Sequence, residues 1–243
     1  EDVAGEVHRI SKGNPLFAIE LAEEWRRSSQ QGGSLELGAR AAPTLQALLE
    51  TRVAGVETEA RPILEAAAVA GERFDVAHVA AAQGWEQIAA LLQLARLAEH
   101  HLVEAAPSSA ALGRDEFRFG HALIQETVYR MTQKERRVNL HQRFAELELE
   151  VAAGVDQHER AGYHLERAAA LRAELGRSGE EVSRLRDGAA SLFAKAGREL
   201  MAASNAHQPF FLEYRLRGRD GVYRWAMDIG RPRFSTSGEF LGL

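Results

Sequence analysis

Cysteine is absent from all 243 residues, which excludes disulfides, thiolate zinc sites and a cysteine nucleophile. Aromatic residues are scarce at 7%, while alanine, leucine, glutamate and arginine dominate, a balance that favours helix packing on helix. No apolar run approaches the ~18 residues of a membrane-spanning helix. The N-terminus also lacks the basic-then-apolar pattern of a secretory signal. A basic excess is missing: the net charge is −5, which disfavours a chain built to coat nucleic acid or anionic lipid. Catalytic signatures are missing too. There is no Gly-x-x-x-x-Gly-Lys-Ser/Thr run to cradle phosphates and place magnesium, no His-Glu-x-x-His and no nucleophile elbow. Together these absences point to a cytoplasmic chain that is not itself an enzyme, with no catalytic residues, no metal ligands and no membrane partner. The chain starts at Glu1 rather than methionine, which suits a piece of something longer.

What is present is ordinarily globular. Hydrophobic residues make up 45% and charged residues 27%, enough for two or three small cores. Gly13-Asn14-Pro15 followed by Leu-Phe-Ala-Ile-Glu-Leu is a helix start. Asn14 suits the N-cap and Pro15 the first helical position, where a missing N–H costs nothing. This helix is predicted to run to about Arg27, with a loop from Gln30 to Arg40 and a second short helix opened by Pro43 through Leu45, Leu48, Leu49 and Val53.

From Glu57 the pattern reads as three helices and a hairpin, the order of a winged-helix domain. Glu59 to Ala70 is nearly all apolar and stops at Gly71, a good residue to follow a helix. Asp75 caps a short helix to about Gln83, and Trp85, Ile88, Leu91, Leu92 and Ala95 drive a third to about His100. Leu102 to Ala105 and Glu116 to Phe119 then pair as strands, with Pro107 to Asp115 between them. At His121 the alternation of Phe117-Arg118-Phe119 gives way to helical spacing, with His121, Ile124, Val128 and Met131 on one stripe. A strand running straight into a helix presents free N–H groups and the positive end of the helix dipole, a place that holds an anion. His121 in that first turn is either a neutral donor to a phosphate oxygen or a packed core histidine. The adjacent His100-His101 reads as a polar helix end rather than a metal site.

Thr132-Gln-Lys-Glu135 is a capping box opening a helix whose buried stripe is Leu140, Phe144, Leu147 and Val151. Asp156 to Glu159 and Ser178 to Glu181 match the same box, predicting two antiparallel helices broken at Gly176. Past Asn205, Leu212, Tyr214 and Leu216 alternate with charged residues. Tyr223, Trp225, Met227 and Ile229 alternate with Val222, Arg224, Ala226 and Asp228, across a turn at Gly218 to Gly221. Gly238 then precedes Phe240 and Leu241.

Three of these stretches share a resemblance. Gly13-Asn14-Pro15-Leu16-Phe17, then Phe119-Gly-His121-Ala-Leu-Ile-Gln-Glu126, then Gly162-Tyr-His164-Leu-Glu166 with Leu171-Arg-Ala-Glu-Leu-Gly176, resemble the STAND-class P-loop ATPases of bacteria. These signalling ATPases occur in large regulators, including fusions to adenylate/guanylate cyclase domains. The resemblance covers about residues 1–204. It implies that Pro15 belongs to a lid and lies against the base of a bound nucleotide. It also implies that His121 matches the histidine of the Met-His-Asp motif, which contacts ADP phosphates. Gly120 and Ala122 replace that motif's Met and Asp, so only the histidine carries over. The tail, in Glu213-Tyr-Arg-Leu-Arg217, Asp220-Gly-Val-Tyr-Arg-Trp225 and Gly238-Glu-Phe-Leu-Gly242, resembles the PAC strands of a PAS domain, as a truncated or fused frame.

The implied fold is mainly α: a helical lid over 1–56, a winged helix with a small β-hairpin over 57–131, an antiparallel helical pair that starts a tetratricopeptide-like array over 132–205, and a partial antiparallel PAS-like sheet over 208–243. The implied role is a nucleotide-switch and partner-sensing fragment of a signalling ATPase. ADP or ATP would be held only with a missing N-terminal NTPase core, and a protein or peptide effector would sit on the helical repeats. Two rivals are a DNA-binding winged-helix regulator and a PAS-containing sensory protein. Against the first, the presumed recognition helix sets Arg96 against Glu86 and Glu99, where a groove reader carries a basic excess. The helix from Gln133 to Val151 is balanced as well. Against the second, the PAS helices that would enclose a ligand are missing.

Overall fold

Cap chemistry and apolar spacing place most elements. The computed structural model describes residues 3–30, 44–106, 115–150, 155–177, 179–205, 210–217, 223–230, 233–235, 237 and 240–242. Its first half holds α1 (Val3–Ser11), α2 (Pro15–Gln30), α3 (Leu45–Ala54), α4 (Arg61–Ala70), β1 (Arg73–Asp75), α5 (Val76–Gln83), α6 (Gln87–Glu99), β2 (Val103–Ala105) and β3 (Glu116–Phe119). The second holds α7 (Ala122–Met131), α8 (Lys134–Glu150), α9 (Val155–Glu174), α10 (Gly179–Asn205), β4 (Phe210–Arg217), β5 (Tyr223–Gly230), β6 (Arg233–Phe234) and β7 (Phe240–Gly242). The protein is mainly α with small antiparallel sheets. Two compact units divide it: residues 1–73 with 91–131, and residues 74–90 with 132–243.

In the first unit Asn14 caps α2 through Oδ1, which accepts from the Phe17 N–H at 3.1 Å, and Pro15 is the first helical residue. The helix runs to Gln30, past the expected Arg27, and the rest of the expected loop lies outside the described residues. α1 precedes it, a helix the spacing did not announce. Ile10, Leu21 and Leu48 bury together with Val7 and Phe17, so the first three helices share one core. Thr44 caps α3, its side chain accepting from the Ala47 N–H at 3.1 Å; Pro43, the anticipated opening residue, lies outside the described residues. Arg61 closes the same helix by donating to the Ala54 carbonyl at 2.9 Å. In α4, Ile63, Leu64, Ala66 and Ala67 are almost wholly buried. Gln125 of α7 donates to the Ala68 carbonyl at 2.6 Å.

The expected hairpin forms, with Val103 opposite Phe119 and Ala105 opposite Phe117. Val103, Phe117 and Phe119 face the core, while Arg118 and Glu104 pair at 2.6 Å on the exposed face. β1 joins as a third strand, in the order β1-β3-β2. Three residues are too few for alternation to reveal it. α6 buries Ala90, Leu94 and Leu97, whereas Ile88 and Leu92 are 74% and 62% exposed. Apolar residues occupy two faces of this helix, and the stripe expected to drive it is the outward one.

In the second unit Asp75 caps α5, accepting from the His78 N–H at 3.0 Å. α8 buries Val138, Leu140, Phe144 and Leu147, with His141 and Glu148 among them; Val151 lies outside the described residues. Asp156 is the second residue of α9, an acidic first-turn residue rather than the cap, and Ser178 lies outside the described residues. Contacts His158–Glu199, Gly162–Phe193, Leu165–Gly188 and Arg172–Glu181 run in opposite order along α9 and α10, so the two helices are antiparallel. Two glycines allow close approach at this interface: a Cβ at Gly162 would meet the Phe193 ring at 2.9 Å, and one at Gly188 would meet the Leu165 side chain at 3.1 Å. β4 and β5 pair antiparallel with Leu212 opposite Asp228, and β6 pairs with β7. The turn expected at Gly218 to Gly221 lies outside the described residues.

Candidate functional site: the head of helix α7

β3 enters α7 through Gly120 and His121. The Gly120 N–H donates to the Leu102 carbonyl at 3.1 Å, and a Cβ at Gly120 would lie 2.9 Å from the His101 carbonyl oxygen. Only glycine allows so close a pass of two backbones. His121 then caps the helix. Its Nδ1 accepts from the Leu123 N–H at 3.1 Å, and its carbonyl accepts from the Ile124 N–H at 2.9 Å.

The imidazole is exposed, which corrects the core alternative for His121. Ile124 and Val128 are each 2% exposed, but Met131 is 38% exposed. The buried stripe of α7 is Ile124, Thr127 and Val128. A cap residue stands outside the helical dihedrals, so the 3.6-residue period does not extend to it. Capping also settles the tautomer. An Nδ1 that accepts carries no proton, so the neutral ring holds its hydrogen on Nε2. An exposed Nε2–H beside the positive end of a helix is a donor suited to an anionic oxygen.

Pro15 is exposed at the first position of α2. It lies in the same unit as His121, and each residue heads its own helix. α2 is tied to its surroundings by carboxylates. Glu20, 0% exposed, receives the Arg52 guanidinium, which also donates to the His100 carbonyl. Glu23 is held below the usual carboxylate range, chiefly by its hydrogen bond from Arg26, with the Arg52 and His101 charges adding to it. His100 and His101 form a polar helix end. His101 has a φ of +54°, its N–H donates to the Ala98 carbonyl at 2.9 Å, and the Leu102 N–H donates to the Leu97 carbonyl at 3.0 Å. That is the pattern of a Schellman stop, with histidine where glycine usually sits. Among the described residues no three His, Asp or Glu side chains converge as a metal site would require.

Sequence reasoning passed over the buried imidazoles of the second unit. His141, His158 and His164 are 0%, 1% and 5% exposed, and His78 packs edge-on against Phe144 at 5.3 Å. A signal for His141 was present: it stands three residues before Phe144 and three after Val138, on the apolar stripe of its helix. No family model, curated protein or solved structure matches this chain.

Proposed function

We propose that this chain is the regulatory part of a STAND-type signalling ATPase: a helical lid, a winged helix and the first helices of a tetratricopeptide-like array, followed by PAS-like strands. The observation that carries the reading is the head of α7. An exposed imidazole is fixed by its own cap so that Nε2–H is the remaining donor, at a strand-to-helix junction where a phosphate is favoured. Further support comes from the element order α4, α5, α6, β2, β3, from Pro15 exposed at the start of α2, and from the antiparallel pair α9 and α10 packed closely at Gly162 and Gly188. Among the described residues no helix is long and apolar enough to cross a membrane, which suits a cytoplasmic regulator.

In this reading the chain itself hydrolyses nothing, because no phosphate-cradling run is present. It would oppose activation by holding ADP against an NTPase core supplied N-terminally, through His121 and Pro15. The helical array would sense a protein or peptide effector. DNA reading is disfavoured by α6, whose exposed face carries Ile88 and Leu92 and whose Arg96 faces Glu57 at 3.7 Å. Sequencing the genomic DNA on both sides of this frame tests the proposal. An in-frame Gly-x-x-x-x-Gly-Lys-Ser/Thr run upstream is the expected result. A start codon immediately upstream with no such run would contradict it.

A further inference from the structure

Three buried imidazoles gather on α8 and α9, and two of them touch. His141 Nδ1 lies 2.9 Å from His164 Nδ1. Two such nitrogens bond only when one carries a hydrogen and the other a lone pair. One added proton leaves that bond intact, because an imidazolium still donates to the remaining lone pair. A second added proton sets two N–H groups and two positive charges face to face in a buried site, where neither is hydrated. The ring of Phe144 stacks on His164 at 5.3 Å, and Tyr163 lies edge-on to His141 at 6.2 Å.

The charged and titratable neighbours come from each packed helix. From α5, His78 meets the Phe144 ring; from α8, Glu148 Oε1 stands 3.7 Å from His78 Nδ1. From α9, Arg160 engages Glu148 Oε2 at 3.2 Å. From α10, Glu199 takes His158 Nδ1 at 3.0 Å. These contacts separate two interfaces by chemistry. In the His158–Glu199 contact between α9 and α10 the ring nitrogen faces a carboxylate acceptor rather than a second ring nitrogen. His141–His164, between α8 and α9, does not survive double protonation.

We propose that the His141–His164 pair is a proton-operated latch: α8 and α9 stay joined while the pair holds at most one added proton, and part when both rings are charged, with α9 and α10 still together. Burial, which holds His78 below its ordinary value, acts in the same direction at the neighbouring Phe144 ring.

Hydrogen exchange of the whole chain between pH 7.5 and 5.0, corrected for intrinsic exchange, reads the latch directly. Protection over residues 134–150 is expected to fall at least tenfold, while residues 179–199 of α10 and residues 45–70 change less than twofold. Constant protection over 134–150, or an equal loss in α10, would overturn the proposal. In His164→Gln a non-titrating amide replaces one ring, and the fall should vanish; a folded variant that keeps it would also overturn the latch. NMR of the imidazole nitrogens in the wild type is independent of any variant. At pH 7.5 His141 and His164 should show opposite tautomers, and identical tautomers would refute the pairing.

Discussion

Arg52 donates to the buried carboxylate of Glu20, tying α3 to α2. Its other terminal nitrogen reaches the His100 carbonyl, so a single guanidinium joins α2, α3 and the turn after α6. The Arg52 side chain is 9% exposed and that of Glu20 0%, so the pair is removed from water and its partners depend on each other. Truncating either one breaks a buried ion pair. Arg52→Ala and Glu20→Ala are each expected to cost about 3–5 kcal/mol in urea unfolding. The pair Arg52→Met with Glu20→Leu should recover most of that. Equal losses for the single and double variants would show that the ion pair is not what couples these helices.

His101 occupies a left-handed position that glycine fills at Gly84 and Gly176. His101→Gly is therefore expected to stabilise the first unit by roughly 0.5–1 kcal/mol, the left-handed penalty less the added chain entropy. Gly120→Ala points the other way. Its Cβ would press on the His101 backbone, with a cost of about 1–3 kcal/mol. Thermal or urea midpoints decide both, and a destabilised His101→Gly would mean the imidazole makes contacts worth more than the strain.

Acid should weaken the helical unit. Burial is the largest influence on His78 and pushes its protonation below the ordinary imidazole value, against the opposing charges of Glu148 and Asp75. The unfolded chain then binds a proton more readily than the folded one. Stability is complete above about pH 6.5 and falls as the pH drops through that value. Urea midpoints at pH 7.5 and 5.5 measure the loss, and His78→Gln should reduce it. An identical loss in wild type and variant would place the acid sensitivity entirely elsewhere.

Much of the fold was legible because its signals are local. Asn14-Pro15, Asp75 and Gly71 mark helix ends through bonds made within four residues, and the strand Glu116–Phe119 follows from alternation alone. Elements set by distant partners were not legible. β1 forms because β3 is there to receive it, and α6 is apolar on its outward face as well as its inward one, so spacing does not tell the two apart. At His121 the strand-to-helix junction was readable, but whether the ring turned in or out was not. The answer rests on a bond to the Leu123 N–H that periodicity does not encode. Nor could spacing bring His141 and His164 together, since 23 residues separate them.

The head of α7 carries the central claim, and ADP retention by the chain joined to the proposed NTPase core tests it most directly. His121→Ser keeps a side-chain oxygen to cap the helix but removes the Nε2–H donor, so the fold should remain stable without nucleotide. A hydrogen bond to a charged phosphate contributes about 1.5–3 kcal/mol, so ADP affinity should fall by about one to two orders of magnitude. Faster ADP release at an unchanged melting temperature is the predicted result. Unaltered ADP affinity in a folded His121→Ser protein would contradict the account and leave His121 a helix cap alone.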